Sequence, residues 1–335
     1  MARMNLRFPK FTARNTGLGP NPISGGGNLR GGCGGAPIVF TANLSALAAG
    51  QSQALDAGTL QSGFRTPYLI DEIRMQAVTA TYSNSGVQYT GLGSYIRAKF
   101  QTGQHQFSKN TVPIGLYAPV FSRQDFGSVE SGISVRRSYS YVRWPLPKPL
   151  WMGPGDVINC TIERDGTLGL DGPLIDINVT YVGRTVAVGT PKPETRQVPW
   201  VSWFQNTSAV RQIVSTDEFR NPFTFPMHVQ RFTCRTASTV EGVLERLALG
   251  QSPANMISSL YATCRLYDSL GYALVKEYAP VGDVFDSARH AWTFARALGP
   301  REQYDLTLRT DPTTTAVAAA FTTQVGMVGY RNEVA

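Results

Sequence analysis

The sequence predicts an all-β protein built from two similar domains in tandem. Short runs of β-branched and aromatic residues recur along the chain, and turn signals separate them at the spacing typical of β-sandwiches and barrels. Sequence matches also recur in the same order in both halves, and four of them share the offset 299 − 153 = 146 residues. This period is the size of a whole domain, whereas solenoid repeats span only about 20–50 residues.

The first domain is preceded by a segment, residues 1–35, that we expect to be an extended arm. The segment contains no acidic residue, since Asp56 is the first in the chain, and its glycines are too dense to pack a core. Three interpretations stay open: contact with an anionic partner, a solvated tail, or ordering along a neighbouring subunit. The basic residues that would make anion or neighbour contacts are Arg3, Arg7, Lys10, Arg14 and Arg30.

Residues 36–187 are predicted to form the first sandwich. The run Ile175–Tyr181 alternates strictly, so that its apolar side chains all lie on one face of a strand. Turn signals such as Gly153-Pro154-Gly155-Asp156 separate the runs. The predicted strands of this domain are Ile70–Tyr82, Ser94–Phe100, Val135–Trp144, Val157–Ile162 and Ile175–Val182.

Residues 188–203 are predicted to be a linker, because they contain Pro191, Pro193 and Pro199. Residues 204–335 are predicted to form the second sandwich. It includes one helix, Val240–Leu249, in which apolar residues follow helical spacing and a glycine comes directly afterwards. The predicted strands of this domain are Met227–Arg235, Ser259–Tyr267, Tyr272–Ala279, Gln303–Leu308 and Phe321–Val328.

The matched segments predict how the two domains superimpose. They place Pro67 over Pro222 and Gly153 over Gly299. Trp144 and Trp292 precede the same Gly-Pro turn, which favours core packing in each domain over ligand stacking. The matched pairs are Phe64–Tyr68 with Phe219–Phe223, Tyr117–Val120 with Tyr278–Val281, Gly153 with Gly299, and Val182–Gly183 with Val328–Gly329.

No catalytic, metal or cofactor site is predicted, and we expect the protein not to be an enzyme. The three histidines are far apart in the sequence, and the four cysteines lack metal-ligand spacing, so buried reduced thiols are expected. Adjacent acids occur at Asp71-Glu72 and at Asp217-Glu218. Neighbours on a strand face opposite sides, so neither pair can act together without a bulge.

The composition favours a protein that buries much of its surface against partners. Only 16% of the residues are charged, against about 25% in an average protein, and charged residues are depleted in the cores of interfaces. The net charge is +8. No apolar run reaches the length of about 18 residues that spans a membrane, and the first residues lack the apolar run of a secretory signal.

The segment that closes the first domain carries a family resemblance. It consists of an apolar entry and a Gly-Pro-Gly-Asp turn within Leu150–Ile158, a second turn at Asp165-Gly166, and a final strand Ile177–Gly183. This arrangement resembles the closing strands of a viral or cupin-like jelly roll. Two such units after a basic, glycine-rich arm look like a double jelly-roll major capsid protein, the lineage of tailless icosahedral phages and the adenovirus hexon.

The resemblance implies two tandem eight-stranded jelly-roll sandwiches. It also implies a homotrimer that forms pseudo-hexameric capsomers, tiles an icosahedral virion shell and is made in the host cytoplasm. The implied partners are neighbouring capsomers, minor capsid or vertex proteins, and lipid head groups of an internal membrane or the genome through the arm. Two other functions stay open: a tandem jelly-roll glycan-active hydrolase or amidase, and a viral coat with a single jelly-roll domain and a different projecting domain.

Overall fold

The computed structural model describes residues between 35 and 334 of the chain, with internal gaps. The predicted arm with its five basic residues, apart from Gly35, lies outside the described residues, and so does the predicted helix Val240–Leu249. Within 35–334 the residues not described are 56–66, 83–91, 104, 119, 131–132, 166–173, 188–189, 209–210, 239–261, 286–291 and 311–320.

The first sandwich contains ten of the described strands and two one-turn helices. Helix α1 (Leu92–Tyr95) leads into β4, and helix α2 (Ile114–Tyr117) follows β6. The strands are β1 Pro37–Leu47, β2 Ser52–Ala54, β3 Tyr68–Tyr82, β4 Ile96–Thr102, β5 His105–Gln106, β6 Val112–Pro113, β7 Val120–Glu130, β8 Ile133–Met152, β9 Ile158–Arg164 and β10 Ile175–Thr185.

The second sandwich contains eight described strands and the one-turn helix α3 (Val281–Val284). The strands are β11 Thr195–Ser208, β12 Gln212–Thr216, β13 Met227–Ser238, β14 Ala262–Asp268, β15 Ala273–Pro280, β16 Trp292–Leu298, β17 Tyr304–Thr310 and β18 Phe321–Val334.

Both sandwiches have the strand order of a jelly roll. In the second, sheet 3 has the order β11-β18-β13-β16 and sheet 4 the order β12-β17-β14-β15, so strands 1, 8, 3 and 6 face strands 2, 7, 4 and 5. In the first, sheet 1 (β1-β10-β3-β8-β7) and sheet 2 (β2-β9-β4-β5, with β6 on β4) repeat that order, with a divided fifth strand and the additional strand β7. The predicted all-β double jelly roll is confirmed, and a different second domain is excluded.

Alternating burial explains why these segments form sandwiches. Along β10 the side chains of Ile175, Ile177, Val179 and Tyr181 are buried, while their neighbours face outward. Strands β9 and β17 show the same alternation at equivalent places. The inward residues fill one core in each sandwich, built on aromatic rings: Trp144, Tyr117, Phe100 and Tyr181 in the first, and Phe219, Phe232, Phe285 and Tyr304 in the second.

The gap-free offset of 146 residues is confirmed by hydrogen bonds and by register. Gly153 N–H donates to the Asp156 carboxylate at 2.7 Å, and Gly299 N–H donates to the Glu302 carboxylate at the same distance. In both sandwiches the neighbouring strand has a bulge directly after the residue that pairs with the repeated glycine. That residue is Ile70, which pairs with Gly183, in the first sandwich and Val229, which pairs with Gly329, in the second. A methyl group on either glycine would overlap a carbonyl oxygen of the neighbouring strand, so both positions require glycine.

Two of the matched proline pairs are wrong. The sheet registers pair Tyr68 with Thr185 and Met227 with Arg331, which puts Pro67 in the place of Pro226 rather than Pro222. Pro113 and Pro280 occupy the same position, directly before α2 and α3, with φ of −51° and −53°. The Pro119 match is therefore also displaced. Each error has the same cause, because proline-rich corners contain several prolines within a few residues and letter matching cannot choose among them.

The predicted linker contains the beginning of a strand. β11 starts at Thr195 and pairs with β18 along its whole length, so residues 195–203 belong to sheet 3. Pro199 is tolerated within it because β11 is the edge strand of that sheet, where a missing N–H need not break the ladder.

Candidate functional site

The two sandwiches meet along a continuous seam, formed by the outer face of sheet 3 and the residues from Gln106 to Tyr117 of the first sandwich. Val201 N–H donates to the Phe107 carbonyl at 2.8 Å, and Ser108 forms a parallel bridge with Val201. Val198, Val201 and Val328 belong to the hydrophobic core of the first sandwich. The seam is therefore packed like a domain interior and joins the sandwiches into one body.

Helix α2 is held against sheet 3 by side chains of β13. Thr233 Oγ1 donates to the Leu116 carbonyl at 2.8 Å, and the Arg231 guanidinium donates to the Tyr117 carbonyl. Burial lowers the pKa of Arg231. A methyl group at Gly326 would lie 3.0 Å from Leu116 Cβ, so the glycine permits the close approach of helix and sheet. These donors satisfy the carbonyls at the end of α2, which have no partner within so short a helix.

Arg331 is the most heavily engaged charged residue of the seam. Its side chain is only 3% exposed, and its guanidinium lies 5.2 Å from the Trp200 ring centre and 4.4 Å from that of Phe223. It donates to the Gln106 carbonyl across the seam at 3.0 Å and pairs with Glu333. Burial lowers the pKa of Arg331, and Glu333 offsets part of that shift.

A second arginine, Arg97 of β4, also contacts both sandwiches. Its guanidinium pairs with Asp165 within the first sandwich and lies 5.0 Å from the Trp203 ring of the second. A longer contact of 3.4 Å leads to Gln205 Oε1. The two arginines thus place charge-assisted and cation–π contacts on both sandwiches, which fixes their relative orientation more strongly than apolar packing alone.

The strand order brings several turns to one end of the body. The chain enters the first sandwich there, since Thr185 N–H donates to the Ala36 carbonyl and Ala36 N–H donates to Thr185 Oγ1. The turns after β8 and β16 lie at the same end, and His105 pairs with Glu333 across it. The chain therefore enters the first sandwich at the same end as the turn after β8, since Thr185 pairs with Tyr68 and Tyr68 pairs with Met152.

The turn between β14 and β15 presents two apolar side chains at this end. Leu270 and Tyr272 are each 68% exposed. Their backbone N–H groups donate to buried Asp268, whose other oxygen pairs with Arg296. Burial alone would raise the pKa of Asp268, but the donors from Tyr272, Arg296 and Leu270 together lower it. A rigid turn thus carries an exposed apolar tip.

The adjacent acids found in the sequence have different surroundings. A bulge does lie at Asp71, but Glu72 binds Arg143 and Arg74, and Asp71 lies 3.6 Å from Arg184. Burial raises the pKa of Asp71, and Arg184 offsets part of the shift.

Asp217 and Glu218 lie outside the strands, in the turn before the Phe219-Arg220 corner. They follow β12 in a turn and line one cleft of about 470 Å³ together with Trp200 and Trp203. Lys109 and Arg220 line the same cleft. Sequence reasoning missed this juxtaposition because the two tryptophans had been placed in a linker.

The remaining candidate groups are structural. Cys160, Cys234 and Cys264 are free and buried, as predicted, and burial raises the pKa of Cys264 to about 12. His228 stacks on Tyr330 at 4.9 Å. Cys33 and His290 lie outside the described residues. In the part of the chain that the structure describes, no cluster of acids, histidines and cysteines could hold a metal ion, and no helix could span a membrane.

Three solved structures are similar to the chain over most of its length. The Faustovirus major capsid protein matches with a TM-score of 0.40 and 7% identity, over 90% of this chain and 91% of that chain. A chain of the Sputnik virophage, solved by cryo-EM, matches with a TM-score of 0.36 and 9% identity, over 93% and 90%. The mavirus major capsid protein matches with a TM-score of 0.35 and 9% identity, over 89% and 90%.

No protein-family model matches the sequence, and no curated protein matches it. Two of these solved structures are described as major capsid proteins. The double jelly-roll fold of this chain follows from the order of its own strands.

Proposed function

We propose that the chain is a major capsid subunit, whose copies form homotrimers that tile an icosahedral virion shell. The observation that carries the proposal is the fusion of two sandwiches with the same strand order along a packed seam. A fused pair of equivalent sandwiches is a building block with two similar lobes. Because function does not follow from fold alone, the assignment rests on this architecture and is tested by assembly.

The number of lobes connects the fold to the shell. Three copies of a two-lobed subunit place six similar lobes around one axis, and six similar lobes give an outline that packs in a hexagonal lattice. A repeated head-to-tail contact produces such a ring when its rotation closes. The contacts within the trimer are expected to bury more than about 2,000 Å² in total, as permanent assemblies do.

The arm gives the subunit an inner side. Residues 1–35 join the first sandwich at the end where the turns after β8 and β16 lie, so this end is proposed to face the shell interior. Arg3, Arg7, Lys10, Arg14 and Arg30 would contact lipid head groups, genome phosphates or a neighbouring subunit. Each basic residue near an anionic membrane adds about 1 kcal/mol, and many copies on one surface act together. Minor capsid or vertex proteins would complete the shell.

Measurement of mass in solution tests the trimer directly. Light scattering on the purified protein should give three times 36.5 kDa, and a monodisperse monomer at working concentration would contradict the proposal. Deletion of residues 2–30 should leave the trimer folded but impair particle closure. If the truncated protein forms filled particles normally, the arm has no part in interior contacts.

A glycan-active hydrolase or amidase is a second candidate, and one observation favours it. The cleft beside the seam combines two tryptophans with the exposed acids Asp217 and Glu218, and aromatic rings with a carboxylate pair are typical of glycosidases. The purified protein should then release sugar from glycan substrates, and Glu218→Gln should abolish the release. We favour the capsid function because neither carboxylate is buried, whereas a catalytic acid usually is.

A further inference from the structure

The seam has an open counterpart on the same molecule. Register places Val39 of β1 and Val201 of β11 at equivalent positions, since each pairs with the residue before the repeated glycine, Val182 in β10 and Val328 in β18. The local sequences agree, as Pro37-Ile38-Val39 corresponds to Pro199-Trp200-Val201. Val201 is 1% exposed because it packs on the first sandwich, whereas Val39 is 64% exposed.

The difference extends across the outer face of both sheets. On β18 the outward side chains Thr322, Gln324 and Val328 are fully buried, and Val328 packs in the core of the first sandwich. Their equivalents on β10, 146 residues earlier, are Asp176, Asn178 and Val182, and each of them is exposed or half-buried. The outer face of sheet 1 is thus the equivalent of the covered face of sheet 3, but these described side chains are left exposed or half-buried.

The receiving side of the seam is also repeated. Gln106 leads through Phe107 to Pro113 and α2, and at the offset 280 − 113 = 167 residues Ala273 leads through Val275 to Pro280 and α3. Because Leu274 forms a bulge, Val275 pairs with Leu266 as Phe107 pairs with Phe100. Phe107 and Ser108 are buried beneath the second sandwich, while Leu274 and Val275 are only half-buried. The exposed Tyr272 corresponds to His105, which contacts Glu333 in the seam.

We propose that these two open surfaces bind each other in neighbouring copies. The outer face of sheet 1 with Val39 would dock on β15 and α3 of the next copy, so that Val39 contacts Leu274 and Val275 as Val201 contacts Phe107 and Ser108. The partner is a second copy because the complementary surface lies on the chain itself and already forms this contact once. The closed ring of three copies rests on the proposed function; the contact surfaces rest on the repeat.

The exposed apolar residues agree with this arrangement. Of the five large hydrophobic side chains that are exposed among the described residues, Val39 lies on one surface and Leu270 and Tyr272 lie beside the other. Isolated exposed apolar residues are common on proteins, but here both open surfaces are identified independently by their covered equivalents. A backbone hydrogen bond from Val39 N–H to the Val275 carbonyl of the next copy would repeat the bond from Val201 to Phe107.

The test uses the full chain and a pair of matched charge variants. Val39→Glu should raise the dissociation constant of the assembly at least about tenfold, because a carboxylate would be buried without a partner. Tyr272→Asp should act in the same direction. Ile213→Glu is the control, since Ile213 is 62% exposed on β12, the opposite edge of sheet 4 from β15, and it should leave the assembly unchanged.

Rescue identifies the direct contact. Adding Val275→Lys to Val39→Glu should restore association, since the two charges would then face each other across the interface. In a separate measurement, the backbone amide of residue 39 should exchange hydrogen with solvent more slowly in the assembled wild type than in Val39→Glu. If the wild type assembles and both Val39→Glu and Ile213→Glu assemble equally well, the proposed surfaces are wrong while the capsid function stands. If the wild type itself is monomeric, the proposed function fails first.

Discussion

Replacement of Arg331 by methionine removes the strongest charged contact of the seam while keeping an apolar chain of similar length. The variant loses the hydrogen bond to the Gln106 carbonyl, the pair with Glu333 and two aromatic contacts. It also removes one partner of the half-buried Glu333 carboxylate, although His105 still contacts Glu333. Folding of the single chain, rather than assembly, should respond, since all these partners belong to one chain.

The expected loss is about 3–4 kcal/mol of unfolding free energy. A hydrogen bond to a charged group contributes about 1.5–3 kcal/mol, and a desolvated cation–π contact contributes about 2 kcal/mol. Methionine avoids the desolvation of the guanidinium, which offsets part of the sum, and breaking one side of a buried pair typically costs about 3–5 kcal/mol.

Urea denaturation followed by tryptophan fluorescence measures this loss, because Trp200 lies against the Arg331 guanidinium. Arg220→Met is the matched control: Arg220 is exposed and makes one long hydrogen bond of 3.3 Å to the Arg301 carbonyl. The control should change stability by less than about 0.5 kcal/mol. If Arg331→Met lowers the unfolding free energy by less than about 1 kcal/mol, and thus no more clearly than the control, the assigned role of this residue in the seam is refuted.

Four further substitutions test the local arguments, each by urea denaturation. Thr233→Val should cost about 1–3 kcal/mol, because a buried carbonyl of α2 loses its donor. Gly329→Ala should cost about 3 kcal/mol, because the methyl group overlaps backbone, whereas Gly155→Ala, in open space at φ +82°, should cost about 1–2 kcal/mol. The pKa of Asp268 is lowered in the folded protein, so the ionised carboxylate stabilises the fold fully above about pH 3.9. This stabilisation is lost as the pH falls through the pKa of the folded state. The difference in unfolding free energy between the wild type and Asp268→Asn should therefore shrink on acidification.

The sequence was sufficient for the fold class because alternation and turn chemistry are local properties. Gly183 of β10 and the Gly-Pro turn at Gly153 recur at one offset. The reason is that the pairing beside the bulge requires a glycine, and the turn requires a carboxylate that accepts from the glycine N–H. The proline matches failed for the opposite reason. Proline fixes only its own φ and serves equally well at several places in a corner, so its letter carries little information about register.

The seam could not be predicted because its residues look unremarkable in the sequence. Pro199 and its neighbours suggested a linker, yet an edge strand tolerates proline, and the same segment turned out to be the first strand of sheet 3. The match between Pro37–Val39 and Pro199–Val201 was hidden by that assignment, because one segment stood at the end of an arm and the other in a linker. Only pairing with β10 and β18 makes the two segments equivalent.

The equivalent outer surfaces of sheet 1 and sheet 3 thus have two different roles in the same chain. In sheet 3 the surface is closed within the chain, so substitutions at Arg331 or Thr233 should lower the stability of each subunit. In sheet 1 it stays open, so Val39→Glu should leave the unfolding free energy of the isolated subunit nearly unchanged and act on association alone. This separation follows from the covalent link, because a contact within a chain is part of folding and the equivalent contact between chains depends on concentration. If Val39→Glu destabilised the isolated subunit as much as Thr233→Val, the two surfaces would not have the distinct roles that their burial assigns.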